Sequence, residues 1–211
     1  MENRWKALTE KLSIDPELTG QQFQHFLTAY GADERHYHDL EHIKHVLNDC
    51  ERLMSCLKSP FKAYERSALE FAIWFHDVVY DTHRKDNEEQ SAVKAIHFLE
   101  EAQTDRTLIA RVAELIRCTA KHTAEKDDIL AQVLLDADLS ILSAERSDYK
   151  AYAEAIRKEY HWVPEEAYTQ GRIQVLQSFL EREKIYFLKI SDLEEKARVN
   201  LSWELQALTA R

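Results

Sequence analysis

The chain has 211 residues, 28 basic and 38 acidic, for a net charge of −10. That size suits one domain with a helical extension, and the acidic balance excludes a general nucleic-acid binder, which presents a basic face. Only three Gly and three Pro occur, far below the usual combined ~12%, so the chain reads as mostly long helices. A small phosphorylated ligand needs only a local positive pocket and is not excluded. Cys50, Cys56 and Cys118 form no CxxC pair. They fit a reducing cytoplasm and give no disulfide framework. The charged start, Met1 to Lys6, has no apolar signal-peptide region, and no apolar run approaches the ~20 residues of a membrane span. The expectation is a cytoplasmic protein with no membrane or nucleic-acid partner, compatible with a homo-oligomer.

In chain order, amphipathic helices are expected over 2–12 and 17–30. Trp5, Leu8, Leu12, Phe23, Phe26, Leu27 and Tyr30 are their packing residues, Asp15-Pro16 starts the second helix and Gly31 closes it. After the connection Arg35-His36-Tyr37-His38, a helix from about 39 to 58 carries Leu40, Ile43, Leu47, Cys50, Met54 and Leu57 as one buried stripe. His42 lies beside that stripe, His38 is four residues earlier, and His45 reads as a surface residue.

Ser59-Pro60 breaks the chain, and a helix is expected over about 61–79. Within it Leu69–Asp81, LEFAIWFHDVVYD, is almost continuously apolar. His76 and Asp77 extend the inward rows Ala68-Ala72-His76 and Leu69-Ile73-Asp77. A buried ionised carboxylate needs a partner that offsets its desolvation. Two readings stand: a helix end with Asp77 solvated and His76 satisfied in the core, or a divalent metal ion bound by both.

Asp81 to Lys85 reads as a polar loop. Asp86 and Glu89 suit a capping box for a helix over 87–102, and the same loop could border a substrate. A helix over 105–121 follows. His122 reads either as a cation at its C-terminus or as a residue of the pocket. Asp127 or Asp128 caps a helix over 129–142, where Leu130, Leu134, Asp138 and Ile141 share a row. Asp136 is about 200° away around the helix, so one ion is not expected to take both acids. Helices over 148–161, 165–183 and 192–209 complete the chain. Tyr149, Tyr152, Ile156 and Tyr160 line the first, with Arg157 alongside. Gly171-Arg172 interrupts the second, and Ser191 caps the third.

The ordered set Tyr37-His38 with His42, Trp74-Phe75-His76-Asp77 with Tyr80-Asp81, Asp86-Asn87-Glu88, Thr119 with His122, Asp136-Ala137-Asp138-Leu139-Ser140-Ile141-Leu142, Ile156-Arg157 with Glu159-Tyr160, and Gly171-Arg172 resembles the HD superfamily of metal-dependent phosphohydrolases, in particular a small bacterial family of predicted enzymes. The resemblance covers about residues 30 to 205. It implies an all-α, single HD-type helical bundle over 1–211, with a core of about 30–145 and additional C-terminal helices over about 146–211. The metal ligands it implies are His42, His76, Asp77 and Asp138, and it places His38 in the substrate pocket. Bundle metal sites are generally built between helices in this way.

The reaction so implied is metal-dependent hydrolysis of a phosphate ester or anhydride in a small metabolite, a nucleotide above others. Mixed N/O ligation suits Mn²⁺, Fe²⁺ or Zn²⁺, with Mg²⁺ also admitted. Asp81, His38 and His122 are the candidate catalytic groups, and Arg35, Lys121, Arg157 and Arg172 the candidate phosphate contacts. The segment His76 to Thr82 also resembles the active-site stretch of alarmone pyrophosphohydrolases, but there both residues after the double Val are acidic, and here the first is Tyr80. The alternatives to the hydrolase are a nucleotide-binding sensor with little turnover, an alarmone-type pyrophosphohydrolase, and a helical scaffold without a site.

Overall fold

A computed structural model of the chain describes residues 1–57, 61–189 and 192–210. Among these residues the protein is all-α, with ten α-helices, one 3₁₀ helix and no strand. No described helix is long and apolar enough to cross a membrane. The helices are α1 (Glu2–Glu10), α2 (Pro16–Tyr30), α3 (Leu40–Cys56), α4 (Ala63–Phe75), α5 (Asn87–Glu101), α6 (Arg106–Thr119), α7 (Ile129–Asp138), α8 (Arg146–Glu159), α9 (Glu165–Leu180) and α10 (Leu193–Thr209). The chain divides into two compact units, Met1–Ala137 and Asp138–Arg211, with the division at the last residue of α7.

In the first unit, acidic caps start most of the helices. Asp15 accepts from the backbone N–H groups of Glu17 and Leu18 at 2.9 and 3.0 Å, and Pro16 follows at the first helical position. Asp39 accepts from Glu41 and His42, Asp105 from Thr107, and Asp128 from Ala131. Each satisfies donors that the first helical turn leaves unpaired, worth about 1 kcal/mol per cap. The central helix is α4. Ser67 to Leu69 and Phe71 to Phe75 are all buried, as expected of a helix apolar on every side, and α3, α5 and α6 pack on it.

The core of this unit is aromatic. Trp5 meets Phe26, Phe71, Trp74, Phe75 and Phe98 at ring separations between 5.0 and 6.2 Å, and its Nε1–H donates to the Thr19 carbonyl at 2.9 Å. Fully burying such a side chain contributes roughly 1.5–3 kcal/mol. Leu27, expected in this core, is exposed instead.

Four local expectations are corrected. First, α4 stops at Phe75 rather than near residue 79. His76 is its C-cap, the Val78 N–H bonds to the Phe75 carbonyl, and Arg35 takes the carbonyls of Asp77 and Val78. A side chain from another segment thus satisfies acceptors that further helix would have used. Second, Asp86 caps α5 by position but not by a side-chain bond. Its carboxylate accepts from Arg84 and Gln90, and Glu89 pairs with Arg117, so salt bridges replace the capping box. Third, α7 gives way at Asp138 to a 3₁₀ helix, Leu139–Ser143. Fourth, α9 runs through Gly171 without interruption, and a Cβ there would meet nothing within 4 Å. The expected break at Ser59-Pro60 and the Ser191 cap lie outside the described residues.

The second unit has its own core of Leu139, Leu142, Tyr149, Leu176, Ile185, Tyr186, Ala197 and Leu201. Here α10 packs on the 3₁₀ helix and α9, and α8 on the 3₁₀ helix. Asn200 donates to the carbonyls of Leu142 and Ala144, both at 2.9 Å.

Candidate metal centre

His42, one residue off the main stripe of α3, is buried at 4% exposure, and His76 at the end of α4 at 1%. Their Nε2 atoms are 3.3 Å apart. The His76 Nδ1 lies 2.9 Å from the Ile73 carbonyl, which can only accept. That bond assigns a proton to Nδ1 and points Nε2 toward His42, the arrangement by which a backbone carbonyl orients a metal-ligating histidine.

Asp77 joins the pair. Its Oδ2 is 3.1 Å from His76 Nε2 and 3.5 Å from His42 Nε2. Burial alone would raise the Asp77 carboxyl. The charge on His76, hydrogen bonds from the His42 and His76 rings and the charge on His38 outweigh it, and hold the group well below the usual carboxylate range. It is therefore ionised at neutral pH. Asp138, half-buried at the end of α7, forms a group with the same two histidines that does not include Asp77. His42, His76 and Asp138 each offer one ligand atom, and these atoms lie within 4.8 Å of one another.

The residues fit a divalent ion on geometry. Two ligand atoms about 2.1 Å from one ion, at angles between octahedral and tetrahedral, stand ~3.0–3.4 Å apart. The separations of 3.1 and 3.3 Å that His76 makes with Asp77 and His42 match that spacing, and the 3.5 Å between His42 and Asp77 lies just beyond it. The donor set is two imidazoles and carboxylates, with no thiolate. Cys50 is buried, with its Sγ 3.8 Å from the Val133 carbonyl.

Asp136, two residues before Asp138, is buried at 2% exposure. The Asp128 cap and its ion pair with Arg111 anchor the start of this helix to α6.

The other sequence candidates are placed as follows. The His38 ring stacks on Tyr80 with centroids 4.1 Å apart and stands 5.6 Å from the His42 ring. Asp81 is exposed and accepts from the backbone N–H of His83 at 2.8 Å, with the His83 Nδ1 at 3.0 Å. The backbone N–H bond first, then the ring, hold its carboxyl below the ordinary value. His122 is half-buried with φ of 48°, a left-handed conformation uncommon outside Gly and enriched in His and Asn. Lys121 beside it is exposed. Arg35 donates to three backbone carbonyls.

Arg157 donates to Glu165 and to the carbonyls of Tyr160 and Val163. Arg172 is buried and makes a two-pronged pair with Glu204 at 2.8 and 2.9 Å, while the Tyr149 hydroxyl donates to the same carboxylate at 2.5 Å. Burial first, then the Glu204 charge, pushes the Tyr149 phenol far up.

Sequence reasoning missed Glu204. Its signal was the spacing Ala197-Asn200-Leu201-Glu204, which puts two polar residues on the buried rows of α10. It also missed the Ile73 carbonyl, a main-chain group that no residue type announces.

Compared with known protein families and with curated proteins, the chain matches none.

Proposed function

We propose that this chain is a metal-dependent phosphohydrolase of the HD type, acting on a phosphate ester or anhydride in a small phosphorylated metabolite, a nucleotide first among them. The observation that carries the reading is the separation of the His42, His76 and Asp77 ligand atoms, with His76 turned by the Ile73 carbonyl. His42, His76, Asp77 and Asp138 would hold the ion. A divalent ion there supplies positive charge to a phosphoryl group and lowers the pKa of a water molecule.

The protein groups have separate roles in this reading. Asp77 and Asp138 supply negative charge against the ion. Asp81, kept ionised by His83, takes a proton from the attacking water or orients it. His38, steadied against Tyr80, binds the substrate. Lys121 and His122 are the proposed phosphate contacts.

A screen of nucleoside mono-, di- and triphosphates, cyclic nucleotides and alarmones with Mn²⁺-loaded protein tests this. Release of phosphate or pyrophosphate from one class is expected, and it should vanish in His76→Ala. Binding of nucleotides with no turnover of any would move the reading to a sensor.

A further inference from the structure

We infer that Arg35 is a positioning residue for the His/Asp nest, a clip that holds the segment entering α3 against the segment leaving α4. The inference rests on the metal-centre reading for its consequence, though not for its geometry. The Arg35 Nη1 donates to the His38 carbonyl at 2.9 Å and to the Asp77 carbonyl at 2.6 Å, and Nη2 donates to the Val78 carbonyl at 3.1 Å. His38 stands just ahead of the Asp39 cap, four residues before His42. Asp77 is itself one of the nest carboxylates. One guanidinium therefore grips both segments within a few bonds of the groups that must converge.

The physical case is specific to arginine. The last carbonyls of a helix have no partner within it, so those beyond α4 are available acceptors. A guanidinium is planar, with its N–H groups in a fixed fork, and so sets the spacing of the acceptors it joins. A lysine ammonium is one nitrogen on a flexible stem and cannot span the three carbonyls with the same geometry. The guanidinium is also flanked by rings, its Cζ 4.9 Å from the Tyr30 centroid and 5.5 Å from that of Tyr80. Tyr80 in turn carries His38 on its ring. Moving Arg35 therefore disturbs the His42 approach, the Asp77 backbone and the His38 stack together. A phosphate ligand would be spent on substrate, whereas these N–H groups are spent on main chain.

The test uses full-length chain with Arg35→Lys and Arg35→Gln, and Arg52→Lys on the outer face of α3 as a control. Chelator-treated protein with ¹⁵N-labelled histidine is examined by NMR, after circular dichroism has shown wild-type helix content. In both Arg35 variants the His42 and His76 ring signals are expected to shift and broaden, and in the control they stay. Zn²⁺ titration is expected to give at least tenfold weaker binding in Arg35→Lys.

Wild-type ring signals in both Arg35 variants would overturn the clip, as would unchanged rings together with loss of inorganic phosphate binding, the mark of a substrate ligand. A wild-type chain that takes up no Zn²⁺, while the Arg35 variants still displace both ring signals, leaves the clip standing and sinks the metal reading alone.

Discussion

His42 and His76 face each other through their Nε2 atoms across 3.3 Å, while the Ile73 carbonyl occupies the other nitrogen of His76. Two ring nitrogens brought this close, with an ionised Asp77 against both, suit a cation between them. The purified protein is expected to carry about one divalent transition metal per chain by elemental analysis. Adding Mn²⁺, Fe²⁺ or Zn²⁺ at a hundredfold excess over Kd should stabilise it by about 2.7 kcal/mol, roughly 5–10 °C in Tm for a chain of this size. His76→Ala should remove both effects. No metal in the protein and no thermal shift would end the metal reading.

Asp136 and Asp138 can be separated by experiment. Asp138 belongs to the His42/His76 group that could hold an ion, whereas Asp136 is a deeply buried side chain of the same helix. Asp138→Asn should empty the site and leave the metal-free melting temperature close to wild type. Asp136→Asn should keep the metal but cost about 1–3 kcal/mol, because a buried hydrogen-bonding group is altered. The opposite pattern in metal content would mean that the wrong carboxylate has been chosen.

In the proposed phosphohydrolase reading, Tyr80 bears on the substrate. Alarmone-type sites place two acids after the double Val, and here the first position is a phenol stacked on His38. A phenol of pKa ~10 is a poor base near neutrality. The kcat/KM for guanosine tetraphosphate is therefore expected to fall below that for ordinary nucleotides. A clear preference for the tetraphosphate would mean that Asp81 needs no acidic neighbour.

Acid should loosen the start of α7. Burial works to raise the Asp128 carboxyl, but hydrogen bonds from Arg111 and from the Ala131 N–H prevail and lower it. A carboxyl depressed in the folded state adds stability above its unfolded pKa of ~3.9, and that stability is lost as pH falls through the folded value. Asp128→Asn should be less stable than wild type above about pH 5 and should flatten part of the acid loss. Urea midpoints from pH 7 downward measure this, and parallel curves for the two proteins would contradict it.

Much of the helical order was legible because the apolar stripes are strong. Leu40, Ile43, Leu47, Cys50 and Met54 mark α3, and the Asp15, Asp39, Asp105 and Asp128 caps mark where helices start. Of the two histidines of the nest, spacing placed His76 on an inward row and His42 only beside the stripe of α3. The end of α4 could not, because it depends on Arg35, 42 residues earlier than Asp77. The capping box at Asp86 was lost to Arg84 and Arg117 for a similar reason, since local pattern cannot foresee which partner wins a carboxylate. Gly171 read as a break, but one Gly costs a helix only about 1 kcal/mol, and α9 carries it. Arg172 read as a candidate phosphate contact, because its partner Glu204 is 32 residues away.

The packing of Trp5 has a spectroscopic consequence. Trp5 and Trp74 are wholly enclosed in the aromatic core of the first unit, while Trp162 and Trp203 in the second are partly open to solvent. Indole emits at shorter wavelength in apolar surroundings than in water. The blue edge of the intrinsic emission therefore reports the aromatic core and the red edge the C-terminal helices. Without any added label, denaturation followed at both edges can tell whether the two halves of the chain melt together or apart.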